Sequence, residues 1–243
     1  MITSRTPLEA SFDAGRQVFR PSVGTHATPA RMASRTSAPV VVPIRSIGPR
    51  HRERIISHLL ALSPQDRYLR FGYAASDEQI KRYVDGLDFE RDEIFGIYNR
   101  KLELIAMAHL AFSIDPDIQS CAEFGVSVQT HARGRGFGAR LFDRAVMHSR
   151  NEGVKMMFIH SLSENTAMLN IARKAGAVIE RDGSESEAYL KLLPADLDSR
   201  MTEMFDEQIA QADYRLKVQT SQFWRFLTLL QEVRQNVRDT HER

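Results

Sequence analysis

His131-Ala-Arg-Gly-Arg-Gly-Phe-Gly-Ala-Arg-Leu-Phe142 sets three glycines and three arginines in twelve residues and then turns apolar. What flanks it gives it meaning. Residues 121–128, CAEFGVSV, alternate as a strand, with Ala122, Phe124, Val126 and Val128 on one face and Cys121, Glu123, Gly125 and Ser127 on the other. After the loop, Leu141, Phe142, Ala145 and Val146 recur at helical spacing, and the helix stops near Gly153. The loop therefore joins a strand to a helix. Glycines let the backbone come close to a ligand, and a helix start offers unpaired N–H groups at a positive dipole end. A phosphate or pyrophosphate fits such a place, and Arg133 and Arg135 can add charge-assisted bonds. The plainer alternative is a solvated turn.

Named phosphate motifs fit poorly. An ATP-type loop needs Gly-Lys-Ser/Thr at its end, and no lysine follows here. A dinucleotide fingerprint can be forced as Gly134-x-Gly136-x-x-Ala139, but it calls for a carboxylate about 20 residues on, and the next strand ends Phe158-Ile159-His160. An RNA-binding arginine–glycine patch would be repeated and unstructured, whereas this is one copy pinned between strand and helix.

The remaining elements alternate around this unit. Val40-Val41-Val42-Pro43-Ile44-Arg45 reads as a first strand, with proline marking an edge. Gly48-Pro49 opens a helix with Ile55, Ile56, Leu59 and Leu60 on one face. Ser63-Pro64-Gln65-Asp66 and the capping box Ser76-Asp77-Glu78-Gln79 open two more. Residues 94–98 and 102–112 pair as a hairpin through Asn99-Arg100-Lys101, and Asp115-Pro116-Asp117 turns the chain. Residues 154–160 read as a central strand and Asn165–Ala175 as a helix closed by Gly176. Val178-Ile179 and Ala188–Leu193 end the sheet, with residues 181–187 as the turn between them. Residues 196–243 look wholly helical, as two helices: Met201, Met204, Phe205 and Ile209 mark one, and Phe223, Trp224, Phe226, Leu227, Leu230 and Val233 the next. Residues 1–38, rich in Ser, Thr, Pro, Gly and Ala, read as disordered.

A net charge of +2 argues against a dedicated nucleic-acid binder, and 42% hydrophobic residues suffice for a core. The single cysteine, Cys121, excludes an intrachain disulfide and a cysteine-based zinc cluster, which points to a reducing compartment. No window is apolar enough for a membrane span, and the N-terminus lacks the apolar core of a secretory signal, so a cytoplasmic protein without a membrane role is expected. No metal constellation is visible.

Arg133-Gly134-Arg135-Gly136-Phe137-Gly138 resembles the R/Q-x-x-G-x-G/A signature of the GNAT acetyltransferase superfamily, which binds acetyl-coenzyme A. Asn165-Thr-Ala-Met168-Leu-Asn-Ile171-Ala172-Arg-Lys-Ala175-Gly176-Ala177 is similar to that superfamily's next helix. Residues 62–71 and 122–128 resemble the first helical region and fourth strand of GNAT domains in bacterial protein-lysine acetyltransferases. The resemblance implies an α/β (α+β) GNAT fold: a mixed, mostly antiparallel twisted sheet flanked by helices, here with a C-terminal helical extension. The domains would be 1–38 disordered, 39–194 catalytic and 195–243 helical.

It also implies an N-acetyltransferase moving an acetyl group from acetyl-CoA to a primary amine by direct attack in a ternary complex. The acceptor would be a protein lysine or a small-molecule amine. A non-catalytic acyl-coenzyme A sensor, or an assembly module on the same fold, is the alternative. Val126, Ser127 and Val128 would pair with the pantetheine arm. The backbone of Arg133, Gly134, Arg135, Gly136, Phe137, Gly138 and Ala139 would hold the pyrophosphate, and Asn165 and Met168 would contact the coenzyme. Glu123 stands where related enzymes carry a general base. Ala172 stands where the family often carries a tyrosine acid. His131, His160 and Cys121 are weaker candidates for chemistry. The apolar stripes of the tail favour pairing of two subunits.

Overall fold

The computed structural model describes residues 42–113, 120–196 and 200–218. The expected disorder of 1–38, the turn at 115–117 and the second tail helix with Trp224 lie outside them.

Seven strands form one sheet: β1 (Arg45–Ser46), β2 (Glu93–Tyr98), β3 (Leu104–Phe112), β4 (Cys121–Val128), β5 (Met156–Leu162), β6 (Val178–Asp182) and β7 (Glu185–Lys191). Their order is β1-β2-β3-β4-β5-β7-β6. Every neighbouring pair is antiparallel except β4 with β5. Among the described residues six α-helices flank the sheet: α1 (Arg52–Leu60), α2 (Pro64–Phe71), α3 (Asp77–Asp85), α4 (Phe137–Asn151), α5 (Thr166–Lys174) and α6 (200–218). This is the mixed, mostly antiparallel architecture the resemblance implies.

Local chemistry explains most boundaries. The Ser63 hydroxyl accepts from the Asp66 N–H at 3.2 Å, and Gly72, at φ 79°, ends α2. Ser76 and Gln79 close a reciprocal capping box on α3. The Asn165 side chain caps α5 through the Met168 N–H at 3.2 Å. Two apolar clusters cover the two faces of the sheet. Ile55, Leu59, Ile80, Val84 and Ile94 gather on one side. Phe95, Phe124, Leu141, Phe142, Met157 and Ile159 gather on the other. Burial on both faces is why β3 reads as an apolar run interrupted only by His109. Phe142 of α4 meets Phe124 of β4 edge to face, with centroids 5.0 Å apart, a contact worth about 1 kcal/mol beyond its area.

Some expectations shift. Of the first strand read over 40–45, residues 40 and 41 lie outside the described residues; the strand described is Arg45–Ser46 at the sheet edge, beyond Pro43, which has no N–H to give a neighbour. The central strand runs two residues later than expected, over Met156–Leu162. The turn placed over 181–187 is only Gly183-Ser184: Arg181 and Asp182 pair with Ser186 and Glu185 in the β6–β7 ladder.

The helix α6 turns its polar side to the domain. Arg144 of α4, 5% exposed in its side chain, lies 3.6 Å from Glu203 and 3.3 Å from Glu207. His148 bonds Glu203 at 2.6 Å. Further along, the Arg45 guanidinium sits 3.8 Å over the Tyr214 ring. Met201, Met204, Phe205, Ile209 and Leu216 face outward, each more than half exposed.

Candidate active site

The parallel pair β4–β5 is in register for only three residues: Cys121 with Met156, Ala122 with Met157 and Glu123 with Phe158. Beyond Glu123 the two strands part while β4 stays paired to β3 as far as Val128. A cleft of about 960 Å³ opens where they separate. That volume suits a ligand of cofactor size.

At one end of the cleft the chain passes from β4 through a short 3-10 turn (Thr130–Ala132) into α4. Gly134 and Gly136 both hold φ near 75°, a left-handed conformation that glycine adopts without strain. An added Cβ at either would meet no atom within 4 Å. Gly136 is the N-cap of α4 and offers no side-chain bond to the first turn, so the leading N–H groups point out bare. Gly138 lies against α5: a Cβ there would sit 3.3 Å from the Ile171 side chain.

Of the residues expected to act, Glu123, Val126, Ser127, Val128, Arg133, Gly134, Gly136, Phe137, Gly138, Ala139, Asn165 and Met168 all line this one cleft. Arg135 does not; it is exposed outside the wall. Arg133 is already engaged. Its guanidinium pairs with Asp66 of α2, whose other oxygen accepts from the Thr130 hydroxyl at 3.1 Å. Burial pushes the Asp66 carboxyl up, but the bonds from Arg133, Ser63 and Thr130 outweigh it and hold it below its usual range.

At the other end stands Glu123. Its side chain is 58% exposed and lies 3.3 Å from His160 Nδ1, while His160 Nε2 lies 2.9 Å from Glu187. An imidazole between two carboxylates can donate to both only when protonated, so the trio is a path by which a proton can leave the cleft. His131 and Cys121, by contrast, do not line the cleft. Ala172 is fully buried, and among the described residues no tyrosine lines the cleft.

Ser127 faces the α1 side and is buried, although its strand neighbours are apolar. Its hydroxyl donates to His58 Nε2 at 2.8 Å, and His58 Nδ1–H donates to the Leu104 carbonyl at 2.8 Å. Burial pushes the His58 imidazole down to about 4, so it is neutral.

Sequence reasoning did not single out Arg70 or His58, and it read Asp66 only as part of a helix start. Gly125 carried a signal for Arg70: a residue without a side chain, on the strand face that carries Glu123, leaves a gap that a long side chain from a facing helix can fill. A Cβ on Gly125 would lie 2.6 Å from Arg70 Nη2.

Residues 59–177 match the family described as "Acetyltransferase (GNAT) family". The fold is also that of solved structures. One is the GNAT domain of PAT from S. lividans, with TM-score 0.53 and 21% identity over 61% of this chain and 89% of that one. Another is a GNAT-family acetyltransferase from Streptococcus pneumoniae, with TM-score 0.51 and 11% identity over 62% and 98%. A third, from Staphylococcus aureus, gives TM-score 0.51 and 11% identity over 63% and 100%. At these identities the likeness is one of fold, and the relatives span several kinds of GNAT protein without singling out one subgroup. The match over 59–177 and the parted β4–β5 sheet agree: this stretch of the chain is similar to the GNAT acetyltransferase family, and its fold is the one those solved structures share.

Proposed function

We propose that the cleft carries acetyl transfer from acetyl-coenzyme A to a primary amine, on a small molecule or a protein lysine, by direct attack in a ternary complex. Residues 39–194 form the catalytic unit, 195–243 a helical extension. The supporting observation is one juxtaposition: a bare helix N-terminus behind two left-handed glycines opens into the gap where β4 loses β5 as a partner. The pyrophosphate suits the N–H groups of Phe137, Gly138 and Ala139, next to the open space at Gly134 and Gly136. The backbone of Val126, Ser127 and Val128 on the side turned to β5 has no paired strand there and suits an amide-bearing arm. Asn165 and Met168 flank the far wall.

When bound, acetyl-coenzyme A supplies a thioester whose carbonyl carbon accepts the amine and whose thiolate leaves. The protein's part is to position that group and to take a proton from the incoming ammonium. Glu123 is placed for the proton. His160 and Glu187 carry it outward to solvent. The acetyl C–N bond forms as the C–S bond breaks, and the proton released by nitrogen passes to Glu123. The outward apolar stripe of α6 supports the further reading that two copies pair through the tail.

Calorimetry on two substitutions at one backbone position tests the site. Asn and Asp both tolerate the left-handed conformation at Gly136, but only Asp brings negative charge to the pyrophosphate. Gly136→Asp should weaken acetyl-coenzyme A binding at least about tenfold, roughly 1.4 kcal/mol, and Gly136→Asn by less than about threefold. A folded Asp variant with wild-type affinity refutes the assignment.

A further inference from the structure

Arg70 stands beside Glu123 in the cleft and has no part in the chemistry above. Its guanidinium lies over Gly125, two residues along the same strand face from Glu123. Two strand residues span about 7 Å, so the cation and the carboxylate face the cleft side by side. Among the described residues no carboxylate lies within ion-pair distance of Arg70, although the cleft is rich in carboxylates. What holds it is a relay that reaches a carboxylate only at its third link. Arg70 Nη2 donates to the Tyr83 hydroxyl at 3.0 Å, which donates to His109 Nδ1 at 2.8 Å, and His109 Nε2–H donates to Asp92 at 3.1 Å. The Phe71 ring, 5.3 Å away, and the Tyr83 ring, 5.6 Å away, brace it further. Each hydrogen in the relay has one acceptor, which fixes the fork of the guanidinium and leaves its remaining N–H groups to the cleft.

A half-buried cation held in one orientation with no carboxylate partner is ready to take a ligand anion. The guanidinium fork matches a carboxylate or a phosphate, and the coenzyme's pyrophosphate is assigned to the glycine loop at the other end of the cleft, which leaves a carboxylate for Arg70. We infer that the acceptor is a small amino acid, with its carboxylate held by Arg70 and its amine presented to Glu123. This rests on the acetyl-transfer reading above and narrows it. Arg70 is then a specificity-determining residue, and Asp92, His109 and Tyr83 are positioning residues acting through it. An isolated lysine in a peptide lacks an acid at this spacing and would leave Arg70 unmatched.

The test uses the full chain with acetyl-coenzyme A and matched acceptors differing only in the acid. These are the twenty L-amino acids against their amides, 4-aminobutyrate against butylamine, and a lysine-containing peptide capped at both ends. At least one acid should exceed its neutral partner by about tenfold or more in kcat/KM, mostly through KM. In Arg70→Gln that ratio should fall to near one, with the affinity for acetyl-coenzyme A in the absence of acceptor unchanged. Tyr83→Phe, which loosens the fork without removing the cation, should give an intermediate ratio. The inference is overturned by neutral amines or the capped peptide turning over as well as every acid, by a preference for the acid that survives Arg70→Gln, or by equal losses on acid and amide. Failure of every acceptor while calorimetry still shows acetyl-coenzyme A bound also overturns it, leaving the coenzyme site standing. Loss of coenzyme binding itself in the wild type would fall on the underlying reading instead.

Discussion

Acid should loosen this domain through one buried imidazole. His58 joins α1 to the carbonyl of Leu104 on β3 and to the hydroxyl of Ser127 on β4. Burial, with a smaller push from Arg70, takes it from 6.5 down to about 4, against the pull of the Leu104 bond. The unfolded chain therefore binds this proton at a higher pH than the folded one does. The sign follows: His58 costs nothing above pH 6.5, and stability is lost as pH falls from 6.5 toward 4. Between pH 7.5 and 5 the loss from this group is about 2 kcal/mol, approaching roughly 3 kcal/mol at its full extent. His109 and His51, also pushed down by burial, add to the acid loss, and His148, raised beside Glu203, opposes it. Comparison with His58→Gln cancels those contributions. Urea denaturation of both proteins at pH 7.5 and pH 5 supplies four free energies, with the slopes checking that the transitions stay comparable. The variant should be weaker at pH 7.5, having lost packing and one hydrogen bond. Its further loss on going to pH 5 should be about 2 kcal/mol smaller than that of the wild type. Equal losses within about 0.5 kcal/mol would show that His58 does not titrate in this window, and the argument from burial would fail.

Glu123→Gln keeps size while removing the basic carboxylate. Coenzyme affinity should hold while turnover of a true acceptor falls by roughly 10- to 1000-fold, partly recovering at high pH where more amine is already neutral. Wild-type turnover by that variant at pH 7 would take Glu123 out of the mechanism. Light scattering of the full chain should give twice its single-chain mass of 27.7 kDa, and a version ending at Pro194 only its own single-chain mass. Two monomers would defeat the pairing of subunits through the tail.

The helix starts were legible because each is a local event: Ser63, Ser76 with Gln79, and Asn165 bond backbone groups within three residues of themselves. The glycine loop was legible for the same reason, since its backbone demands are met within a few residues. Long-range partners were not. Nothing near Arg133 in the chain announces Asp66, and nothing near Glu123 announces His160. The alternation in β4 put Ser127 on the face opposite Phe124, where it lies, but could not tell that this face is closed at Ser127. Here both faces of the strand are covered, and His58 satisfies the hydroxyl inside. Which side of the tail's first helix meets the domain was likewise not legible: α4 presents Arg144, a buried cation that demands carboxylates. Glu203 and Glu207 answer it, and the stripe is turned out.

The helix α2 is what ties the two ends of the cleft together. It has eight residues, is capped at its start by Ser63 and stopped by Gly72. Asp66 and Arg70 are one turn apart, about 6 Å along the axis, and lie on the same face. Asp66 grips Arg133 at the mouth of the glycine loop. Arg70 covers Gly125 beside the candidate base. A short rigid rod thus holds, at one end, an arginine of the loop proposed for pyrophosphate and, at the other, the cation proposed for the acceptor. Any tilt of α2 must move both contacts together. Under the proposed reading, a coenzyme that settles the loop also fixes Arg70 over the acceptor, so the amino acid should bind more tightly to the coenzyme complex than to the free protein. Linkage requires the reverse as well, with the acceptor tightening the coenzyme by the same factor.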